Sequence, residues 1–219
     1  MLTRSAPAAL GLALVMFAIA PYLIAQAPYE STMGLVQKIF YYHAPVGIVM
    51  FLATFVCGFA SVSYLRRGRP SSDRCAEAAA ELVVVLGAIV LLTGPLWARK
   101  AWGVWWQWDP RLTSTLVLWL LYVAYLLLRR FGGPGTERLA AGVAIFGMAN
   151  VPFVYWSVNV WRTMHPKTSV VPTLGPEMRT PFYWCIVAFL LLFVGLLGTR
   201  VRLAEQQDAL DGLLAEAEN

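Results

Sequence analysis

Residues 112–128 read LTSTLVLWLLYVAYLLL, and this stretch decides the fold class. It contains no charged residue, and Arg111 and Arg129 stand directly at its two ends. An apolar helix needs roughly 20 residues to cross the hydrocarbon core of a bilayer, with about 17 at the short end. Inside lipid, backbone polar groups can be satisfied only within such a helix or a closed barrel. The stretch therefore predicts a transmembrane α-helix.

Five further stretches of the same kind predict a bundle of six spans. The six stretches lie at about 8–25, 45–65, 78–97, 112–128, 139–158 and 182–199. Of the 219 residues, 59% are hydrophobic and 13% are charged, whereas about a quarter are charged in an ordinary globular chain. The connections are too short to form a soluble domain. We therefore expect one all-α integral membrane domain over residues 1–219, with short amphipathic segments in the outer loops.

Several classes of function are excluded by missing motifs. Cys57, Cys75 and Cys185 form no C-x-x-C pair, so neither a thiol redox motif nor a disulfide framework is indicated. C-x-x-C-H is absent, so the chain is not itself a c-type cytochrome. It has no G-x-x-x-x-G-K-[ST] loop, so any ATP-driven step belongs to a partner. Its basic residues flank apolar runs, which indicates contact with membrane lipid rather than with nucleic acid.

The distribution of basic residues predicts that both termini are cytoplasmic. The ends of the chain and the second and fourth loops carry ten Lys and Arg residues, and the other three loops carry seven. Dense clusters at 66–69 and 129–130 directly abut spans, as the positive-inside rule expects. The outer loops are then about 26–44, 98–111 and 159–181. Seven outer charges need a reason, and an anionic ligand supplies one.

Both ends of the chain allow two interpretations. Arg4 precedes the first span, and Ala25-Gln26-Ala27 resembles a signal-peptide cleavage site. The length of the apolar run and Pro28 after the scissile bond favour an uncleaved anchor. Beyond Arg202 the chain is acidic, and its leucines recur on one side of a helix, at Leu203, Leu210, Leu213 and Leu214. This spacing predicts a frayed helix at the membrane interface.

The chain has only two histidines, and both fall on the predicted outer face. His43 stands in KIFYYHAPVG before the second span, and His165 stands in VWRTMHPKTS between the fifth and sixth spans. A single interfacial histidine is usually a polar anchor, but imidazole also binds iron, copper, zinc and nickel. Zinc needs four protein ligands in a structural site. Heme needs only two, because the porphyrin supplies the other four, so the pair favours heme.

The third loop, AWGVWWQWDPRLTS, is the most specific feature of the sequence. If residues 102–109 are helical, Trp102, Trp105, Trp106 and Asp109 lie within one arc of about 100° and Trp108 projects elsewhere. An interfacial aromatic belt explains Trp97, Trp119, Trp156 and Trp161 well. It explains four tryptophans in seven residues poorly, and a flat aromatic platform for a flat apolar ligand explains them better. Asp109-Pro110 predicts a helix N-cap followed by proline at the first helical position.

Cations on the same face can pair with the two propionates of a heme. Arginine offers bidentate geometry to a carboxylate. Arg111 follows the tryptophan segment directly, and Lys38 lies five residues before His43. The remaining candidates, Arg99, Lys100 and Arg162, are equally well explained as ordinary interfacial charges.

These motifs resemble one family of heme-handling membrane proteins. WGVWWQWDPRLTS is similar to the WWD signature of cytochrome c maturation proteins. KIFYYHAP, NVPFVYWSVNVW followed by TMHP, and PEMRTPFYW resemble segments of the CcmC branch, called heme exporter protein C. The resemblance covers roughly residues 30–200. Arginine is common in this family where the sequence has Lys38, and lysine lacks the bidentate fork.

The resemblance implies a function that involves no catalysis. Histidines at the positions of His43 and His165 are implied to be the axial ligands of heme b on the periplasmic face. The implied heme-contacting residues are Trp102, Gly103, Trp105, Trp106, Trp108, Asp109, Arg111 and Lys38. The implied partners are the heme chaperone CcmE, the ABC transporter subunits CcmA and CcmB, and the small membrane protein CcmD, all at the bacterial inner membrane.

Three rival functions fit the sequence less well. A heme-lyase-type member of the same group would be longer or would carry histidines inside its spans. A cytochrome b-type electron carrier would place histidine pairs near the bilayer centre. An anion channel would place ionisable residues along a path, and Glu81 is the main candidate for such a residue.

Overall fold

The computed structural model describes residues 2–29 and 33–217, and its elements are helical throughout that range. Six helices are long and apolar enough to cross a membrane, which confirms the predicted all-α fold. They are α1 (Leu2–Gln26), α2 (Phe40–Arg67), α3 (Pro70–Trp102), α4 (Pro110–Phe131), α5 (Thr136–Val160) and α6 (Pro176–Ala217). Short 3-10 turns at Leu35–Ile39 and Thr168–Val170 lie in two of the connections.

Several helices extend beyond the apolar stretches because backbone caps, and not hydropathy, end them. Helix α2 stops at Gly68, which adopts a left-handed conformation with φ of 63° and donates its N–H to the Tyr64 carbonyl. Pro70 then opens α3 at a position where the missing N–H costs nothing. Gly103, with φ of 77°, ends α3. At the other end of α2, the helix begins at Phe40, so His43 lies in its first turn and not in a loop as the sequence predicts.

The bundle packs α2 against α3, α5 and α6, while α1 lies along α6 and α4 lies along α5. The core combines small residues with a few large aromatic rings. Tyr122 of α4 is fully buried, and its hydroxyl donates to the Ala144 carbonyl of α5 at 3.1 Å. Trp184 of α6 donates to the Met16 carbonyl of α1 at 2.8 Å. These cross-helix bonds satisfy side-chain polar groups that lipid cannot.

Ion pairs hold the end of the bundle that carries the α2–α3 and α4–α5 connections. Arg129 of α4 contacts Asp73 and Glu77 of α3 at 2.8 and 2.9 Å. Arg200 of α6 pairs with Glu81 of α3, with Nη2 and Oε1 2.6 Å apart. Glu81 therefore has a cationic partner, which removes the main support for an anion path through the spans.

The acidic C-terminal segment is helical as predicted, and it continues α6, which runs without a break from Pro176 to Ala217. Its location at the membrane interface stays a prediction. Asp208 of this segment pairs with Arg74 of α3 at 2.6 Å. The tail leucines are exposed, at Leu203, Leu210, Leu213 and Leu214.

We expect that Gly147→Ala destabilises the bundle and that Gly142→Ala on the same helix does not. A Cβ at Gly147 would lie 2.6 Å from Cε2 of Tyr122, whereas one at Gly142 would have no atom within 4 Å. Overpacking of a buried site costs about 1–3 kcal/mol. Thermal unfolding in detergent, followed by near-UV circular dichroism, measures the difference. Equal midpoints for the two variants would contradict the described α4–α5 packing.

Candidate functional site

A cavity of about 470 Å³ lies between the helix ends on the side of the bundle opposite the ion pairs. Its walls come from the first turns of α2 and α4, the last turns of α3 and α5, and the loop that follows α5. Most of the lining is apolar. Cavities of roughly 300–1,000 Å³ with a few convergent polar groups are typical sites for small molecules.

Both histidines of the chain border this cavity. His43 is contributed by α2, and its Nδ1 lies 2.8 Å from the hydroxyl of Thr93 on α3. The imidazole also makes an edge contact with the Trp97 ring of α3, at 5.9 Å between centroids. Within the described residues, neither histidine has a hydrogen bond at Nε2. The second nitrogen of each ring is therefore available to a ligand.

His165 reaches the cavity from the loop after α5. Its Nδ1 lies 2.9 Å from the Pro166 carbonyl, and because a carbonyl can only accept, Nδ1 carries the proton. Burial lowers the pKa of His165 to about 4, and the nearby Arg111 cation adds to that effect. At neutral pH the ring is therefore uncharged, which is the form of imidazole that binds metals.

Asp109 connects the start of α4 to the loop that carries His165. One carboxylate oxygen accepts from the Leu112 N–H at 2.8 Å, which is the predicted N-cap. The other oxygen accepts a short hydrogen bond from the Thr163 hydroxyl. That hydroxyl oxygen in turn accepts the backbone N–H of His165 at 3.1 Å. Asp109 is thus both a helix cap and an anchor for the histidine loop.

Residues 102–109 do not form the helix that was assumed when three of the tryptophans were assigned to one side. Helix α3 ends at Trp102, and residues 103–109 are extended or bent. Trp102 and Trp106 line the cavity. Trp105 and Trp108 are 57% and 77% exposed and project away from it. The left-handed turn at Gly103 ends the helical periodicity, so the four rings divide between the cavity and the outer surface.

Trp106 adds a polar group to the tryptophan wall. Its indole N–H is buried and has no acceptor among the described residues. Its ring stands edge-on to Trp108, at 5.6 Å between centroids. A bound molecule with an acceptor group can satisfy this donor.

Arg111 borders the cavity as predicted, but Lys38 does not. The Arg111 guanidinium donates to the Val154 carbonyl at 2.5 Å and lies over the Phe51 ring. The Lys38 ammonium donates to carbonyls at the end of α1, those of Ile24, Ala25 and Ala27, at 2.7, 2.9 and 3.1 Å. Carbonyls at the C-terminal end of a helix are open to donors from other elements, and these three hold the lysine there. Lys38 therefore links the end of α1 to the 3-10 turn that directly precedes α2.

Three residues of the site were not predicted from the sequence. Lys167 lines the cavity, and its position only two residues after His165 could have indicated this. Thr93 and Gly94 lie next to His43 from the middle of an apolar run. No sequence pattern marks them, because their role depends on which face of α3 meets α2.

These observations define the class of molecule that the site fits. The described residues contain no group of three or more His, Cys, Asp or Glu side chains that could hold a metal ion. The cavity instead combines two imidazoles, an apolar wall with two indoles, and the cations Arg111 and Lys167 at its border. The fold is that of a six-helix membrane protein with a small-molecule cavity between its helix ends.

Comparison with known proteins shows the family. The family model described as "Heme exporter protein C" matches residues 1–211, and the chain belongs to this family. The chain is similar to heme exporter protein C of Bradyrhizobium diazoefficiens, with 35% identity over 83% of this chain and 72% of the relative. The corresponding protein of Escherichia coli K12 is 33% identical over 80% and 73%. That of Paracoccus denitrificans is 32% identical over 86% and 81%.

We expect that Thr163→Val loosens the His165 loop and that Thr173→Val does not. The first substitution removes the donor to Asp109 and the acceptor for the His165 N–H. The Thr173 hydroxyl bonds only to carbonyls of its own turn, those of Ser169 and Val170. One hydrogen bond contributes about 1 kcal/mol, or roughly fivefold in local opening. Amide hydrogen exchange over residues 161–167 should accelerate by at least that factor, and unchanged exchange would refute the anchoring role.

Proposed function

We propose that this protein binds heme b at the periplasmic face of the bacterial inner membrane and presents it to the heme chaperone CcmE. Family membership implies a role in heme handling for cytochrome c biogenesis. The observation that carries the finer proposal is the shared cavity, because the only two histidines of the chain border it together with two tryptophans and an arginine.

In this proposal His43 and His165 hold the heme iron as its two axial ligands. The rings come from different elements, a helix and a loop, and each has its Nδ1 engaged by a neighbouring oxygen. A hydrogen bond at one imidazole nitrogen is the usual support for a histidine that binds metal through the other. The chain lacks C-x-x-C-H, so heme held here is not attached through that motif.

The cavity walls account for the rest of the ligand. Trp102 and Trp106 supply flat apolar surface for a macrocycle. Arg111 and Lys167 supply cations for the two propionates, and the unpaired indole N–H of Trp106 supplies a further donor. Arg111 also donates to the end of α5, so one propionate would be held close to the element that leads into the His165 loop.

Transfer is assigned to the exposed half of the tryptophan segment. Trp105 and Trp108 lie outside the cavity, exposed in the same short segment that contributes the cavity wall, and aromatic residues are enriched in protein interfaces. We assign this surface to docking of CcmE. The ABC transporter subunits CcmA and CcmB, with CcmD, complete the proposed assembly and supply ATP hydrolysis. This chain performs no bond-breaking chemistry in the proposal: it binds, orients and releases.

The ligand assignment is tested by His43→Ala and His165→Ala, singly and together. We expect that the double variant loses the low-spin bis-imidazole absorption spectrum of the protein purified with heme, and that each single variant becomes high-spin. Lys38→Ala is the control, because that side chain lies outside the cavity. A double variant with an unchanged spectrum would eliminate both histidines as ligands.

The division of the tryptophans is tested by comparing Trp106→Ala with the pair Trp105→Ala and Trp108→Ala. The first variant removes cavity wall, so heme should dissociate faster from the purified protein. The second pair removes exposed surface, so the heme spectrum should persist while covalent labelling of the chaperone falls. Trp156→Ala is the control, since its ring is 59% exposed on α5 outside the segment. If the exposed pair lost heme and the cavity variant kept it, the division would be wrong.

A further inference from the structure

The surroundings of His43 are built by one face of a single neighbouring helix. Thr93, Gly94 and Trp97 of α3 all meet the His43 imidazole. Residues at positions i, i+1 and i+4 of a helix fall within about 100° of arc, so they share one side. The three residues form what we call the imidazole socket.

The direction of the hydrogen bonds in the socket follows from proton counting. The Thr93 Oγ1 lies 2.7 Å from the Ile89 carbonyl of its own helix. A carbonyl can only accept, so the single hydroxyl proton of Thr93 points to Ile89. The Thr93 oxygen is left with lone pairs, and His43 Nδ1 at 2.8 Å must be the donor to it. A neutral imidazole has one N–H, so a proton at Nδ1 leaves Nε2 bare.

We infer that Thr93 is a positioning residue that fixes His43 in its Nδ1–H tautomer and presents an unprotonated Nε2 to the cavity. The inference about the tautomer concerns the protein alone. Its consequence for heme rests on the proposed function, in which that nitrogen binds iron. The partly buried Thr93 hydroxyl thus orients a neighbouring side chain as well as bonding to its own helix.

Gly94 supplies the clearance that this arrangement needs. A Cβ at Gly94 would lie 3.4 Å from Cε1 of His43, which is van der Waals contact with no space to spare. Cε1 stands between the two ring nitrogens, so a methyl group there would crowd the edge of the ring that carries Nε2. Trp97 completes the socket through an edge contact with the imidazole, with the two rings inclined at 72° to each other.

The second histidine has no comparable socket. His165 is held through Nδ1 by the carbonyl of the next residue, Pro166, and through its backbone N–H by Thr163. Its tautomer is therefore set within its own loop. Only the tautomer of His43 depends on a residue of α3, so His165 serves as an internal comparison in the same protein.

The direct test is nitrogen NMR of the heme-free protein labelled with ¹⁵N-histidine. The chain has only two histidines, so His165→Ala leaves one ring to observe. In that background His43 should show a protonated Nδ1 and an unprotonated Nε2. Thr93→Ser should keep this pattern, whereas Thr93→Val should lose it because no acceptor remains at Nδ1. Thr199→Val is the matched control: its hydroxyl bonds to the Gly195 carbonyl of its own helix at 2.8 Å, and the residue does not line the cavity.

The second measurement is the dissociation constant for hemin in otherwise unaltered protein. Loss of a partner that orients a metal-binding histidine typically weakens affinity by about 10- to 100-fold. We expect that loss for Thr93→Val, recovery in Thr93→Ser, and no change in Thr199→Val. Gly94→Ala should keep the Nδ1–H pattern yet also weaken hemin binding. Should Thr93→Val fold poorly, Thr93→Ala takes its place, because it removes the same hydroxyl and should give the same change in tautomer and affinity.

The outcomes separate this inference from the function it builds on. If Thr93→Val matches Thr199→Val in both tautomer and affinity, Thr93 does not position His43. If Thr93→Val changes the tautomer but His43→Ala leaves the heme spectrum intact, the socket is real and the axial-ligand assignment is wrong. If Gly94→Ala binds hemin with unaltered affinity, the clearance argument is refuted.

Discussion

The site depends on one constraint that the bilayer imposes: polar groups inside a span must find their partners within the protein. Charged and imidazole groups therefore gather where helices end. His43 lies in the first turn of α2, and Arg111 is the second residue of α4. The deeper Thr93 obeys the same rule, because its hydroxyl bonds back to its own helix. The cavity forms where these ends converge.

The same constraint explains which parts of the architecture could be predicted. Six apolar stretches are enough to establish an all-helical membrane bundle, since lipid leaves the backbone almost no alternative. The two histidines and the Asp109 cap were also readable, because each is a local pattern in a distinctive context. The structure brings both histidines to one cavity, although they are far apart in sequence.

What could not be predicted depends on backbone conformation and helix rotation. The predicted arrangement of the tryptophans on one side requires a helix, but the left-handed turn at Gly103 ends α3 before that segment. Lys38 was an attractive propionate partner on sequence distance alone, but carbonyls at the end of α1 hold its ammonium group. Trp97 was attributed to an interfacial belt, yet it is buried and donates to the sulfur of Met33. Which of several partners a side chain contacts depends on the packing of the folded helices, and the sequence does not specify that packing.

Helix α6 has a geometric consequence of its own. Its 42 residues, at about 1.5 Å each, give a rod of roughly 63 Å, about twice the hydrocarbon thickness of a bilayer. The last turns, with Glu205, Asp208 and Asp211, therefore lie beyond the length that one apolar span needs. Because Asp208 pairs with Arg74 of α3, this extension links the orientation of α6 to the first turns of α3.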